Sequence, residues 1–255
     1  MGAANAGYQG SFLSDEILCE ICPLKKLEQR KNFVLQPDKD DKFNVRPHHC
    51  IWIPQKDETH KIAELYYNST TYMYHVIHIP TMNKVIEQTY QDLSDRNHDA
   101  RHITLILSIL ASTAYLWTAE DQNHHQLFTS VDAARKLGIT WTKSTLDMIE
   151  HACPTLDPSM ELIEAMIIIS FLVGSLEGVS TKCRSLYATA ITFARELSFH
   201  CIDIDKSSKQ MTQEKGHQAI STEVARRKLH LQDKKRTVPT RAVRTRWAIV
   251  FFSLS

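Results

Sequence analysis

Glycine is scarce in this chain, and its distribution constrains the fold more than any other feature. The 255 residues hold seven glycines, at Gly2, Gly7, Gly10, Gly138, Gly174, Gly178 and Gly216. None lies between Ser11 and Leu137. A phosphate-cradling loop or a dinucleotide fingerprint needs clustered glycines where backbone approaches phosphate, so neither is present. A G-x-S-x-G nucleophile elbow is also absent. Sandwiches and barrels with many tight turns use glycine at positive φ, which argues against an all-β fold. The expected fold class is all-α, a multi-helix domain of about six to eight helices.

Hydrophobic residues make up 43% of the chain, enough for a sizeable core, in one large domain or two small ones. Lys and Arg number 30 against 29 Asp and Glu, so the whole-chain balance points to neither nucleic acid nor an acidic partner. The six cysteines are Cys19, Cys22, Cys50, Cys153, Cys183 and Cys201. Three fall in apolar helical patterns, where a free cysteine acts as a small hydrophobe. No basic stretch followed by an apolar run opens the chain, and the expectation is a reducing, intracellular setting without a disulfide framework.

Residues 1–51 read as a poorly structured tail or linker, with a charged run at Pro37-Asp38-Lys39-Asp40-Asp41-Lys42. Helical spacing begins after Trp52. Ile62, Leu65, Tyr66, Met73, Val76 and Ile77 predict a helix within 57–78, with Asp57 and Glu58 favourable in its first turn. Pro80 is expected to end that helix and Thr81 to cap the next, which presents Met82, Val85, Ile86 and Tyr90. Residues 103–119 are uncharged and carry five Ser or Thr. That run is shorter than the roughly 20 residues a bilayer needs, so a helix buried on all sides is the reading. Further helices are expected at 129–152, at 159–176 with Asp157 as cap and Pro158 in the first turn, and at 179–199. Gly174 and Gly178 mark the end of the second of these. The stretch 206–218 is polar, and 223–247 holds nine Lys or Arg against Glu223 and Asp233.

Few residues form a chemical constellation. Cys19-x2-Cys22 is half of a zinc spacing, with His48, His49 and Cys50 the only further candidates nearby. The bland reading places the two cysteines in a loosely ordered or short helical segment. His48-His49 and His124-His125 are adjacent pairs, a poor ligand geometry, whereas His75 and His78 share a helix face without a complementary third ligand. Glu161 with Glu164, and Asp147 with Glu150, are carboxylate pairs at helical spacing, for which structural roles are expected. No Ser/His/Asp order emerges. The basic run 223–247 fits DNA contact, nuclear import or a solvated tail. No catalytic, cofactor-binding or metal-ligating residue is assigned, and no DNA-contacting residue is named.

A resemblance gathers these pieces. Trp52-Ile53-Pro54-Gln55-Lys56-Asp57-Glu58, Glu64-Leu65-Tyr66-Tyr67 and Tyr74-His75-Val76-Ile77-His78-Ile79-Pro80-Thr81-Met82 follow in order. Leu107-Ser108-Ile109-Leu110-Ala111-Ser112 and Trp117-Thr118 come next, then Glu164-Ala165-Met166-Ile167-Ile168-Ile169-Ser170-Phe171-Leu172. Gly178-Val179-Ser180, Arg184-Ser185-Leu186 and Ala194-Arg195-Glu196-Leu197-Ser198-Phe199-His200 complete the series. The whole resembles the fungal-specific transcription factor domain, the middle homology region of fungal binuclear zinc-cluster transcription factors. It spans about residues 52–227.

The resemblance implies a regulator of transcription in the nucleus, not an enzyme. It implies DNA as the family's partner through a separate domain, with transcription-machinery proteins, a small-molecule effector and a homodimer as further partners, and no membrane. Such proteins carry a six-cysteine cluster on two zinc ions. Only Cys19 and Cys22 match one here, and Gln29 stands where a third cysteine is expected. Zinc is therefore expected only in a longer form that carries the cluster. Glu223-Val224-Ala225-Arg226-Arg227 resembles the family's lead-in to a Trp-Trp helix, but Lys228-Leu229-His230 follows. The expectation is a regulatory domain at 52–204, then a polar linker and divergent basic segment at 205–255, the product of truncation or mis-splicing. The alternatives are a helical small-ligand-binding module or enzyme of unknown activity, and a non-functional truncated product. In the last case the apolar face 162–176 would lie uncovered.

Overall fold

A computed structural model describes residues 17–29, 49–69, 76–94, 99–152, 157–178 and 180–199. The elements run β1 (Ile17–Ile21), α1 (Leu24–Gln29), β2 (His49–Ile53), α2 (Lys56–Ser69), α3 (Ile79–Ser94), α4 (Ala100–Tyr115), α5 (Ala119–His125), α6 (Val131–Ala152), α7 (Met160–Glu177) and α8 (Thr181–Glu196). The described residues are thus predominantly helical, as the glycine distribution implies, with eight helices and one parallel strand pair.

α4 and α7 form the centre. Thirteen of the sixteen residues of α4 are buried, so the helix is enclosed on all sides. Its polar side chains are satisfied locally: Thr104 and Thr113 donate to the carbonyls of Ala100 and Ile109, and Ser108 donates to that of Leu105. This back-bonding lets a hydroxyl enter an apolar core without leaving a donor unpaired. No single described helix is long and apolar enough to cross a membrane. α4 and α5 reach the required length only together, and they are bent by 108° at their break.

α7 is buried from Leu162 to Ser170 and again at Leu172 and Val173. α4, α6 and α8 cover it, so the face that a non-functional truncated product would leave uncovered over 162–176 is open only toward its end, at Leu176. Gly178 closes α7 at φ 73°, a conformation that favours glycine. The α4–α6 crossing is close: a Cβ on Gly138 would stand 2.7 Å from the Tyr115 nitrogen.

Four expectations need correction. Residues 17–29 and 49–51 are not a pattern-poor tail. β1 and β2 pair in parallel, with Cys19 opposite Ile51, and Cys22, Leu24, Leu27, Cys50, Ile51 and Ile53 enter the core. The short apolar runs are interrupted by charges that sit on exposed positions, which hides them from a helical period. α2 is described over Lys56–Ser69, and residues 76–77 are turn and bend rather than helix. α3 begins at Ile79, so Thr81 lies inside the first turn and accepts no capping role; Pro80 fits that turn because its missing N–H would have no helical partner. Asp157 is not the cap of α7: Ser159 is, its hydroxyl accepting from Leu162 N at 3.2 Å. Met73, His75, Cys153, Cys201 and the whole 205–255 segment lie outside the described residues.

Two side chains fasten the strand pair to the helices. One oxygen of Glu58 accepts from both Leu24 N and Gln55 N at 3.0 Å, joining the beginnings of α1 and α2. The indole of Trp141, in the middle of α6, donates to the Trp52 carbonyl at 2.9 Å on the outer edge of β2. A strand pair this small is marginal alone and needs such support.

Candidate functional site

The sequence-singled residues do not converge. Cys19 and Cys22 lie on β1 and just beyond it, not in a loose or helical segment. Successive residues of a strand alternate faces, so Cys19, level with Ile51, and Cys50, level with Leu18, leave the pair on opposite sides. Burial pushes the Cys19 thiol well above its ordinary range, with Cys50 and Glu20 adding to the effect. A thiol held protonated is a weak nucleophile and must lose its proton before it can bind a metal. Among the described residues, no group of three or more His, Cys, Asp or Glu is placed to hold a metal ion.

His124 and His125 are exposed in the last turn of α5, where positive charge suits the helix dipole. His78 Nδ1 meets the Thr81 hydroxyl at 2.7 Å, a contact within one turn. His48 and His75 lie outside the described residues. Glu161 sits in the first turn of α7, whereas Glu164 is fully buried. Glu150 is exposed and Asp147 half-buried on α6. Neither carboxylate pair shares a cleft with a nucleophile.

Two polar groups inside the fold were not singled out from sequence. The Tyr67 hydroxyl is buried with no hydrogen-bond partner, and burial together with the Glu164 carboxylate pushes its ionisation far up. Beyond it, at the start of α4, Asp99 caps the helix through Arg101 N at 2.9 Å and holds the Arg101 guanidinium through both oxygens. Partial burial pushes the Asp99 carboxyl up, but the hydrogen bonds from Arg101 and the nearby His102 outweigh it and hold the carboxyl below its ordinary range. Asp99 in turn raises Arg101.

A concave site lies where α1 meets the α5–α6 connection. Lys25, Gln122, Asn123, Gln126, Leu127, Phe128 and Thr129 line an open cleft of about 410 Å³. Gln122 organises it, accepting from the Trp117 indole at 2.9 Å and donating to the Phe128 carbonyl at 2.7 Å. Thr118 and Asp121 fix α5 by a reciprocal cap, a T-x-x-D pattern that was readable in the sequence. Glu28 accepts from Thr129 N at 2.9 Å and closes the connection onto α1. The lining offers amides, an ammonium and an aromatic edge.

Comparison with known proteins gives a common theme. The chain is 37% identical over 154 residues to a probable transcription factor, lepB, of Aspergillus flavus, covering 60% of this chain and 27% of that protein. It is 29% identical over 170 residues to the transcription factor TAS2 of Pyricularia oryzae, covering 64% and 21%. It is 24% identical over 155 residues to the agnestins biosynthesis cluster transcription factor AgnL11 of Paecilomyces divaricatus, covering 59% and 22%. The chain thus spans about a quarter of the length of these relatives. No protein-family model matches it, and no solved structure matches it.

Proposed function

We propose that this chain is the helical regulatory domain of a fungal zinc-cluster-type transcription factor, the middle homology region, without an intact zinc cluster within it. It acts in the nucleus by tuning transcription and is not an enzyme. The observation that carries this reading is that three fungal relatives, matched over 59–64% of this chain, are all named as transcription factors. The amides, ammonium and aromatic edge that line the cleft favour a binding role. DNA contact belongs to another part of such a regulator. Transcription-machinery proteins, a second copy and a small effector are its partners, and the cleft beside Gln122 is the seat for a small polar effector.

The test is a reporter assay in a fungal host. The full chain, fused to a heterologous DNA-binding domain, should shift reporter output against the DNA-binding domain alone. An unchanged output from a folded, nuclear fusion overturns the regulatory reading. Electrophoretic mobility of DNA with the unfused chain should show only weak, salt-sensitive retardation. Tight sequence-specific binding, or uptake of zinc by the chain in titration, overturns the absence of a DNA-reading cluster.

A further inference from the structure

Two large apolar side chains are the most exposed of their kind on the described surface: Leu116 at 51% and Ile139 at 50%. The α4–α6 crossing brings them together. Tyr115, the last residue of α4, touches Gly138 backbone to side. The two helices pack along their lengths, and the last residue of α4 meets the first third of α6, so α6 runs back antiparallel along α4. In an antiparallel pair of right-handed helices, the residue after each contact residue turns to the same side of the crossing, about 100° round. Leu116 and Ile139 are those two residues.

The charged residues within one turn of Ile139 on α6 are all cations. Its helical neighbours three and four residues away are Arg135, Lys136, Thr142 and Lys143. Thr142 is buried and donates to the Gly138 carbonyl at 2.7 Å. The other three are exposed cations, and among the described residues none of their side chains makes a hydrogen bond or ion pair. Carboxylates flank the cations: Asp132 stands one turn before Arg135 and Lys136, and the half-buried Asp147 and exposed Glu150 lie beyond Lys143.

We propose that this patch docks an acidic amphipathic segment of a partner protein. The segment sets large apolar side chains on Leu116 and Ile139 and its carboxylates against Arg135, Lys136 and Lys143. Charge complementarity selects this occupant. A second copy related by a two-fold axis would bring the same three cations face to face. Nucleic acid would use the cations and leave the apolar pair without a role. Two half-exposed side chains make a small apolar centre, which fits a transient contact. The inference does not depend on the regulatory reading above, since it rests on the crossing and the charges.

The test uses the full chain and a fluorescently labelled synthetic helical peptide carrying Leu and Phe on one face and Asp and Glu on the flanks. Anisotropy should show saturable binding that weakens between about 0.1 M and 1 M salt, as the screening length falls from about 10 Å to about 3 Å. Ile139→Ser and Leu116→Ser should each weaken it by about tenfold, and Lys136→Glu with Lys143→Glu by about tenfold or more. A peptide of equal charge with Ser for Leu and Phe should not bind. Circular dichroism melts check that the variants fold. Hydrogen exchange on the wild-type chain should show new protection in the middle of α6, a readout that needs no variant. The proposal fails if the peptide does not bind, if the Ser peptide binds equally, or if protection appears elsewhere. It also fails if duplex DNA or anionic vesicles displace the peptide from these residues, or if sedimentation shows a dimer that Ile139→Ser dissolves.

Discussion

Two glycines in helices show how a single side chain is read by its neighbours. At Gly138 an added Cβ meets the Tyr115 nitrogen at 2.7 Å and its Cα at 2.9 Å, backbone that cannot swing away. Gly138→Ala should therefore lower stability by about 1–3 kcal/mol despite the better helix former, because the two helices must separate. At Gly174 the nearest atom is the Cys183 sulfur at 3.8 Å, ordinary contact distance. Gly174→Ala should raise stability by about 0.5–1 kcal/mol. Urea unfolding of both variants checks the opposite signs. Two tyrosines make a second contrast. Tyr90 donates its hydroxyl to the buried Pro54 carbonyl and accepts from Thr59. Tyr90→Phe orphans that carbonyl and should cost about 1–3 kcal/mol. The Tyr67 hydroxyl has no partner, so Tyr67→Phe should leave stability unchanged or raise it by up to about 1 kcal/mol. Neither distinction is visible in sequence, where Tyr66, Tyr67 and Tyr90 all look like amphipathic fillers. What separates them is a partner supplied from another element.

At the scale of elements, the long helices were legible and their ends were not. α4, α6, α7 and α8 announce themselves by uncharged or periodic runs of more than a dozen residues, so every turn repeats the same message. Helix starts rest on one hydroxyl or carboxylate, and competing candidates stand side by side. Asp157 and Ser159 both precede α7, and only Ser159 reaches an amide of the first turn. Ser159→Ala should cost about 1 kcal/mol, and Asp157→Asn a few tenths at most, by thermal melting. β1 was missed because five residues with a glutamate among them carry little signal, and the partner strand lies thirty-two positions on. The Cys19-x2-Cys22 spacing invited a metal reading that the pleat of that strand does not support. The cap of α4 gives a pH test. The Asp99 carboxyl is held below its ordinary range in the folded state, so it contributes fully above the unfolded value of about 3.9. That contribution is lost as pH falls below about 4 and passes through the lowered folded value. Asp99→Asn should flatten this part of the curve of melting temperature against pH.

Across the whole molecule, the strand pair depends on residues far along the chain. The candidate surfaces share that property. The cleft needs Lys25 beside the 122–129 connection, and the apolar patch needs α4 beside α6. Neither emerged from a linear reading, which found the helices but not which of their faces meet. Trp141 reaches far along the chain: its indole satisfies the Trp52 carbonyl across 89 positions. Trp141→Phe should cost about 2–4 kcal/mol through the lost bond and lost packing, with helix and aromatic circular dichroism still falling in one transition. The same reach governs biosynthesis. During translation the outer edge of β2 leaves the ribosome long before α6 does, and at about 5–20 residues per second its indole partner follows roughly 5–20 s later. Through that interval the nascent chain presents an open strand edge with no internal cover, so the period before α6 emerges is when a holding chaperone would matter most.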